Sequence, residues 1–354
     1  MNGLIRQNIS VRGLYACGDK FRLDLSLSEN PLGCSDGALG VIKCLSKKDL
    51  YNYPDMNSSD LVDLISNKYG IKKEMVLVAN GSESIIQLLP KLFLTESNEV
   101  IIPELTFPLF SLASKMVGAK VIGSKMNNNF DIDLKDMGNR IINKTKLIFL
   151  CNPNNPTGRV LGKKEIVEFV SQVGIPVIVD EANIEFGGES VIDKVNGMKN
   201  LIVIRTFSKA YGLAGFRIGF CVANIQIINN LKKISQLFGV NRLAMKAAIA
   251  ALSDNKFISE SKKLVNKEIK FITNELRERR FLVIDSRANN LFIKASPIFR
   301  SGDELVDKLN QRGVSVVRGK SFGRKWKDFI RISPRKREVN LEFIKIIDDL
   351  IRNN

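Results

Sequence analysis

Four short segments place polar side chains directly after apolar runs, and the residue types suit the handling of an aldehyde and a phosphate. In RTFSKAYGLAGFRIGF (205–220), Ser208 and Lys209 close one such run. A lysine there is desolvated, which lowers its pKa and makes the amine a nucleophile toward aldehydes. Ser208, with Arg217 in the glycine-rich stretch that follows, can hold a phosphate nearby. In VIVDEAN (177–183), Asp180 and Glu181 end another apolar run. A carboxylate in that position is costly unless paired, so it calls for a cation on a ligand or in a structural ion pair, or else caps a helix. CNPNNPTG (151–158) sets Asn152, Asn154 and Asn155 around two prolines and a glycine, a turn that either presents an amide rigidly or serves the backbone alone. VLVANGSESIIQLL (76–89) leads through Gly81 and Ser82 into a helix whose free N–H groups and positive dipole end suit a phosphate, although Gly-Ser is also ordinary strand-to-helix punctuation.

The chain contains no histidine. That excludes a Ser-His-Asp triad, a Cys-His pair and any His-ligated metal. Proton transfer near neutral pH then falls to another group, and a lysine of lowered pKa is the natural substitute.

The elements that must position these residues follow from the apolar pattern. Segments 76–80, 99–104, 119–126, 146–153, 175–182 and 201–208 read as buried strands rich in β-branched residues. Segments 82–94, 107–118 and 162–174 between them have helical spacing. Strand–helix alternation implies a mainly parallel sheet with helices on both faces, and such sheets collect functional groups at the carboxyl ends of their strands. Beyond residue 224 a mostly helical stretch runs to about 280, followed by strand candidates at 291–295, 314–318 and 329–333, a helix at 303–313 and a final amphipathic helix at 340–353. The expected organisation is α/β, with an N-terminal arm over 1–40 docking on the small domain, a large domain over 41–245 and a smaller α+β domain over 246–354.

Composition fits an ordinary soluble globular protein: 44% hydrophobic and 26% charged residues over 354 positions. No apolar run reaches the roughly 20 residues of a membrane span, and the first twenty residues lack the apolar core of a signal peptide. A cytoplasmic location and no membrane partner are therefore expected. The five cysteines, Cys17, Cys34, Cys44, Cys151 and Cys221, are odd in number and form no CxxC pair, so neither a disulfide framework nor a zinc site is indicated. Net charge is +17, densest between Arg318 and Arg337, where nine cations face one acid, Asp328. With no nucleic-acid-binding motif beside it, this stretch reads as a solvated basic face or as an attractor for an anionic substrate.

NPNNPTG, VDEA and SKAYGLAGFRIGF occur in one order, with 25 residues from Asn155 to Asp180 and 29 from Asp180 to Lys209. Together they resemble the pyridoxal-5′-phosphate (PLP)-dependent class I/II aminotransferases of fold type I. Among these the chain is most similar to the group of histidinol-phosphate aminotransferase and threonine-phosphate decarboxylase, with LSENPLG, YNYPD, ANGSESI and FIRIS as supporting marks. The resemblance spans roughly residues 25–350. It implies an aspartate aminotransferase-like large domain and the following roles. Lys209 binds PLP as a Schiff base and shuttles the proton; Asp180 pairs with the pyridine nitrogen; Asn155 donates to the ring 3′-oxygen. Phe107 stacks on the ring, and Gly81, Ser82, Glu83, Ser208 and Arg217 surround the phosphate. Tyr53 reaches the neighbouring subunit's cofactor, which implies a homodimer. Arg331 grips the substrate's anionic group with Asn30 close by, and Arg318 and Lys320 are further candidates for that grip.

Two positions depart from the family pattern. Asn183 stands where tyrosine is usual, which implies a shifted pH response of the Lys209–cofactor linkage or a pocket reshaped for another substrate. Phe107 keeps the stacking face but lacks the hydroxyl common in relatives. The expected reaction is transfer of an amino group between an amino acid and a carbonyl compound, with a phosphate-bearing substrate favoured by VVRGKSFG (316–323). The alternative is decarboxylation of a phosphorylated amino acid, since the same cofactor site serves both.

Overall fold

The structure, a computed structural model, describes residues 21–353. Thirteen strands are found among them. β1 (Leu23–Asp24) is followed by β2 (Val76–Ala79), β3 (Glu99–Pro103), β4 (Lys120–Ser124), β5 (Thr145–Cys151), β6 (Val177–Asp180), β7 (Leu201–Thr206) and β8 (Gly219–Val222). The last seven form one sheet in the order β2-β8-β7-β6-β5-β3-β4. All neighbours are parallel except β8, which is antiparallel to both β2 and β7. The sequence pattern did not separate β8 from the glycine-rich stretch before it. Four residues that begin at Gly219 give too short a period to read, and β8 exists because it fills the slot between two buried strands.

Side chains alternate faces along each strand, and both faces are covered. Val177, Val179, Leu201 and Val203 pack under the helices Ser59–Tyr69, Lys163–Gln172 and Arg242–Ser253. Ile178, Ile202 and Ile204 pack under Gly81–Phe93, Leu109–Met116 and Ile225–Ile234. Burial on both sides explains the near-continuous apolar runs, and each fully buried Val or Ile contributes about 1.5–3 kcal/mol.

The carboxyl-terminal part is built on β9 (Leu282–Val283), β10 (Leu291–Lys294), β11 (Val314–Ser315), β12 (Val317–Arg318) and β13 (Phe329–Ile332). Four of these make an antiparallel sheet in the order β12-β13-β10-β9. The helices Asn255–Glu278, Gly302–Gln311 and Arg337–Arg352 share a core with it. The stretch expected to be mostly helical over 225–280 is three helices, broken at residues 235–241 and at Asp254.

β1 pairs in parallel with β11. From there residues 25–30 run as a strap toward the large sheet. The Ser333 amide donates to the Leu25 carbonyl (2.8 Å), Asn289 Nδ2 to the Ser28 carbonyl (2.9 Å), and Asn30 Nδ2 to the Ala210 carbonyl (2.8 Å). Residues 1–20 of the expected N-terminal arm, Cys17 included, lie outside the described residues. Among the described residues no helix is long and apolar enough to cross a membrane.

Candidate active site

Strand geometry builds the floor of the site. Cys151 pairs with Asp180 in register, and Asp180 with Ile204. Cys151, Asp180 and Thr206 all point to the face that carries Ile178, Ile202 and Ile204, and all three line one cavity of about 440 Å³. Around it stand Ser82, Glu83, Phe107, Asn155, Asn183, Ser208, Lys209, Arg217 and Arg331.

One end of the cavity is built for an anion. The helix Gly81–Phe93 begins there, with its first-turn N–H groups unpaired within the helix. Gly81 has φ +75°, and a β-carbon on it would lie 3.0 Å from Arg217 Nη2. Arg217 itself has φ +53°. Its Nη1 donates to the Ala214 carbonyl (3.0 Å) and lies 3.5 Å from Ser208 Oγ, while Nη2 is 3.6 Å from Glu83 Oε2. The Ser208 amide donates to Thr206 Oγ1 (3.1 Å), and the two hydroxyls are 3.0 Å apart. A guanidinium, a hydroxyl pair and a helix start thus converge on one point.

The middle of the cavity holds two groups with displaced proton affinities. Burial lowers the Lys209 amine to about 8, helped by the Arg331 and Arg217 charges and opposed by Glu29. Burial raises the Asp180 carboxyl to about 7 against a hydrogen bond from the Ala182 amide (3.0 Å), with Glu181 adding to the rise and Lys209 opposing it. An amine and an acid both brought near neutrality in one cavity mark a site for proton transfer. Asn183 is buried on the same wall, and its Oδ1 has no hydrogen-bond partner among the described residues. Phe107 presents its ring, edge-on to Phe110 at 5.7 Å between centroids.

At the far end is Arg331 on β13, 1% exposed. Its Nη1 donates to Asn155 Oδ1 (3.3 Å) and its Nη2 to the Ser26 carbonyl. Because Asn155 Oδ1 accepts from Arg331, its Nδ2 is the end left to donate elsewhere. The other two asparagines of the turn are spent on structure: Asn154 bonds the Leu105 carbonyl, Thr106 and Thr157, and Asn152 bonds both backbone groups of Leu161.

Four sequence candidates are not on this wall. Asn30 spends its amide on the Ala210 carbonyl, Ser261 Oγ (2.7 Å) and the Leu32 amide (2.9 Å), so it ties chain segments together instead of facing the cavity. Arg318 lies on the opposite face of β12 and pairs with Asp303 and Asp307; Lys320 donates to Asp303 (2.8 Å). Two acids on the helix Gly302–Gln311 therefore hold the cations expected to grip a substrate. Tyr53 is 78% exposed, its ring tilted against Phe238 at 4.8 Å between centroids, and it lies outside its own chain's cavity. Conversely, Ser28, Glu29, Cys151, Thr206 and Asn290 line the cavity but had not been singled out. Cys151 and Thr206 were discoverable by strand alternation, each being the last inward residue of its strand. Asn290, whose Nδ2 donates to the Pro156 carbonyl, carries no local signal.

Comparison with known proteins gives one family. The model for aminotransferase class I and II matches residues 23–347. The histidinol-phosphate aminotransferase of Moorella thermoacetica is 32% identical over 341 residues, 94% of this chain and 86% of that protein. That of Pelagibacter ubique is 34% identical over 333 residues, 92% and 91% of the two chains. Among solved structures, histidinol-phosphate aminotransferase from Clostridium acetobutylicum superposes with a TM-score of 0.87 at 27% identity, over 94% of this chain and all of that one. A mutant of Thermus thermophilus aspartate aminotransferase shares the fold, with a TM-score of 0.87 at 18% identity over 99% of both chains.

Proposed function

The chain belongs to the class I and II aminotransferases, a PLP-dependent family, and on that premise we propose that it moves an amino group between an amino acid and a phosphate-bearing carbonyl compound whose aminated form is of the histidinol-phosphate kind. The curated relatives of about one-third identity support that substrate class. The observation that carries the assignment is Lys209 and Asp180 facing one cavity whose end is built for an anion.

The residues present fit the cofactor. PLP has four polar groups: a phosphate, an aldehyde, a ring nitrogen and a ring hydroxyl. Arg217, Ser208 and the helix start at Gly81 suit the phosphate, and Gly81 leaves Arg217 the room that a β-carbon would take. Lys209 Nζ suits the aldehyde, Asp180 the ring nitrogen, and the amides of Asn155 and Asn183 the hydroxyl, Asn183 being short of a partner within the chain. Phe107 closes one face of the ring.

Bound PLP supplies an aldehyde carbon for an amine to join and an electron-poor ring that takes up the charge left when a Cα proton departs. Lys209 Nζ would hold the aldehyde and, once released by the substrate amine, would be the base that takes up the proton of the substrate's Cα and gives it back. Its lowered proton affinity leaves about a tenth of the amine unprotonated at pH 7, against less than about a thousandth at the ordinary lysine value of 10.5, and so supplies the free base that the role requires. Asp180 would keep a proton on the ring nitrogen. Arg331 would hold the substrate's anionic end beside Asn155, to which its guanidinium already donates. Buried Arg331 and Asn290 limit water at that end.

The working unit is proposed to be a cytoplasmic homodimer, with Tyr53 reaching the neighbouring site. An apolar surface that includes Leu50, Tyr51, Tyr53, Met56 and Leu237 is exposed on the single chain and supports it. Borohydride reduction of the PLP-loaded enzyme should leave a mass adduct on the Lys209 peptide and none on Lys209→Ala. Histidinol phosphate alone should convert the bound cofactor to pyridoxamine phosphate. Carbon dioxide release from a phosphorylated amino acid, without that conversion, would instead mark a decarboxylase.

A further inference from the structure

The sheet hides a second charged group directly beneath Asp180. Alternation puts Asp180 and Thr206 on the cavity face, so Glu181 and Arg205 point to the opposite face. There the Glu181 side chain is fully buried, and Arg205 and Glu185 are 7% and 9% exposed. Arg205 Nη1 donates to Glu185 Oε1 (2.6 Å) and Nη2 to Ser190 Oγ (3.0 Å). Its Nε lies 2.8 Å from Glu181 Oε2 but off the N–H axis, so that contact is an ion pair only. Ser190 Oγ and the Val191 amide donate to the two Glu181 oxygens at 2.6 and 2.7 Å. The guanidinium also lies over the Tyr69 ring, 5.3 Å from its centroid.

No substrate or cofactor contact can reach this cluster, which faces away from the cavity. We propose that Arg205 is a positioning residue for Asp180: by binding Glu181 and Glu185 at once, it keeps the Asp180 carboxylate aimed at the ring nitrogen of the cofactor and charged when it gets there. This rests on the assignment of Asp180 to that nitrogen.

Two physical links connect Arg205 to Asp180. The first is covalent and short. Glu181 follows Asp180 directly, and its amide donates to the Ile204 carbonyl (2.9 Å), continuing the β6–β7 ladder past Asp180. Gripping Glu181 from Arg205 on β7 therefore fixes the peptide that aims Asp180. The loop 181–191, which carries Asn183 and ends at Ser190 and Val191, is held by the same guanidinium. The second link is charge. Glu181 and Glu185 set two carboxylates below Asp180 against one Arg205. Glu181 already raises the proton affinity of Asp180. Without the guanidinium the Glu181 charge would bear on Asp180 unbalanced, and Asp180 would then keep its proton and lose the charge that attracts a protonated ring nitrogen.

The test compares PLP with its 1-deaza analogue, which keeps the aldehyde and phosphate and replaces only the ring nitrogen by carbon. Dissociation constants are measured by absorbance for wild type and Arg205→Lys, which retains the charge and loses the fork, with apo-enzyme melting followed alongside. Wild type should prefer PLP by about tenfold or more, the effect of one charge-assisted hydrogen bond. In Arg205→Lys the preference should fall to within about threefold, mostly through weaker PLP binding. Equal loss for both ligands would make Arg205 a purely structural staple and overturn the proposal, as would an unchanged preference. A wild type with no preference would sink the Asp180 assignment itself. Should Arg205→Lys not fold, Arg205→Gln with Glu185→Gln removes one charge of each sign, strips Glu181 of its guanidinium, and should show the same selective loss.

Discussion

Replacing Gly81 with alanine tests the anion-binding end of the site without touching a charged group. At φ +75° an alanine backbone is strained, by about 1–2 kcal/mol for a left-handed residue. The new β-carbon would also sit 3.0 Å from Arg217 Nη2, tighter than ordinary contact, and 3.5 Å from its Cζ. In the cofactor-free protein the guanidinium can swing aside at the cost of one ordinary bond, from Nη1 to the Ala214 carbonyl (3.0 Å), since its holds on Ser208 and Glu83 are long, 3.5 and 3.6 Å. The apo-enzyme should therefore lose about 1 kcal/mol, or about 2 °C in melting temperature for a chain of this size. With cofactor the displaced guanidinium forfeits a charge-assisted contact to phosphate, about 1.5–3 kcal/mol, so the dissociation constant should rise about ten- to hundred-fold. Calorimetric melting of the apo-enzyme and absorbance titration with PLP separate the two effects. A lower melting temperature with PLP affinity within twofold of wild type would refute the placement of phosphate between Gly81 and Arg217.

Further outcomes follow from the other groups of the cavity. Lys209, at about 8, binds a proton less tightly folded than unfolded, where its ordinary value is 10.5. The unfolded chain then carries the extra proton between those values, so apo-enzyme stability should rise with pH from about 8 to 10.5 relative to Lys209→Met; parallel profiles would contradict a desolvated amine. Arg331→Gln should raise KM for phosphate-bearing substrates at least tenfold while PLP remains bound, and unchanged KM would remove Arg331 from the substrate grip. Asn183→Leu removes a buried carbonyl oxygen without a partner, so the apo-enzyme should gain about 1 kcal/mol while PLP binds more weakly; denaturant titration with and without cofactor checks both. A spectral pH titration of wild type against Asn183→Tyr should give displaced curves, and superimposable ones would end the idea that Asn183 tunes the Lys209–cofactor linkage.

Much of the site was legible because its parts are local. Lys209, Asp180 and Asn155 each follow an apolar strand, and parallel strands deliver their carboxyl ends to one edge whatever the rest of the chain does. The fates of Arg318 and Asn30 were not local. Arg318 resembles a ligand grip until Asp303 and Asp307 arrive on a neighbouring helix, and that pairing depends on how β12 meets the helix Gly302–Gln311. Asn30 is consumed by Ala210 and Ser261, far along the chain, contacts that no short motif announces. Arg331 was placed by its motif, yet its hold on Asn155 comes only from the meeting of β13 with the NPNNPTG turn. The β8 strand was hidden for another reason. Its four residues start on Gly219 directly after a glycine-rich stretch, and its antiparallel course between β2 and β7 is set by the sheet, not by its own pattern.

The strap at residues 25–30 has a mechanical consequence. It touches the Ser333 amide and the Arg331 guanidinium at one end and the residue after Lys209 at the other. A handful of covalent bonds thus sets the separation between the amine and the guanidinium, which are otherwise joined by more than a hundred residues of chain. Peptide-bond scission inside the strap would leave both halves of the protein intact in themselves but with no common ruler. Hydrogen exchange at the amides of Leu25, Leu32 and Ser333 should then accelerate together, as one unit coming loose.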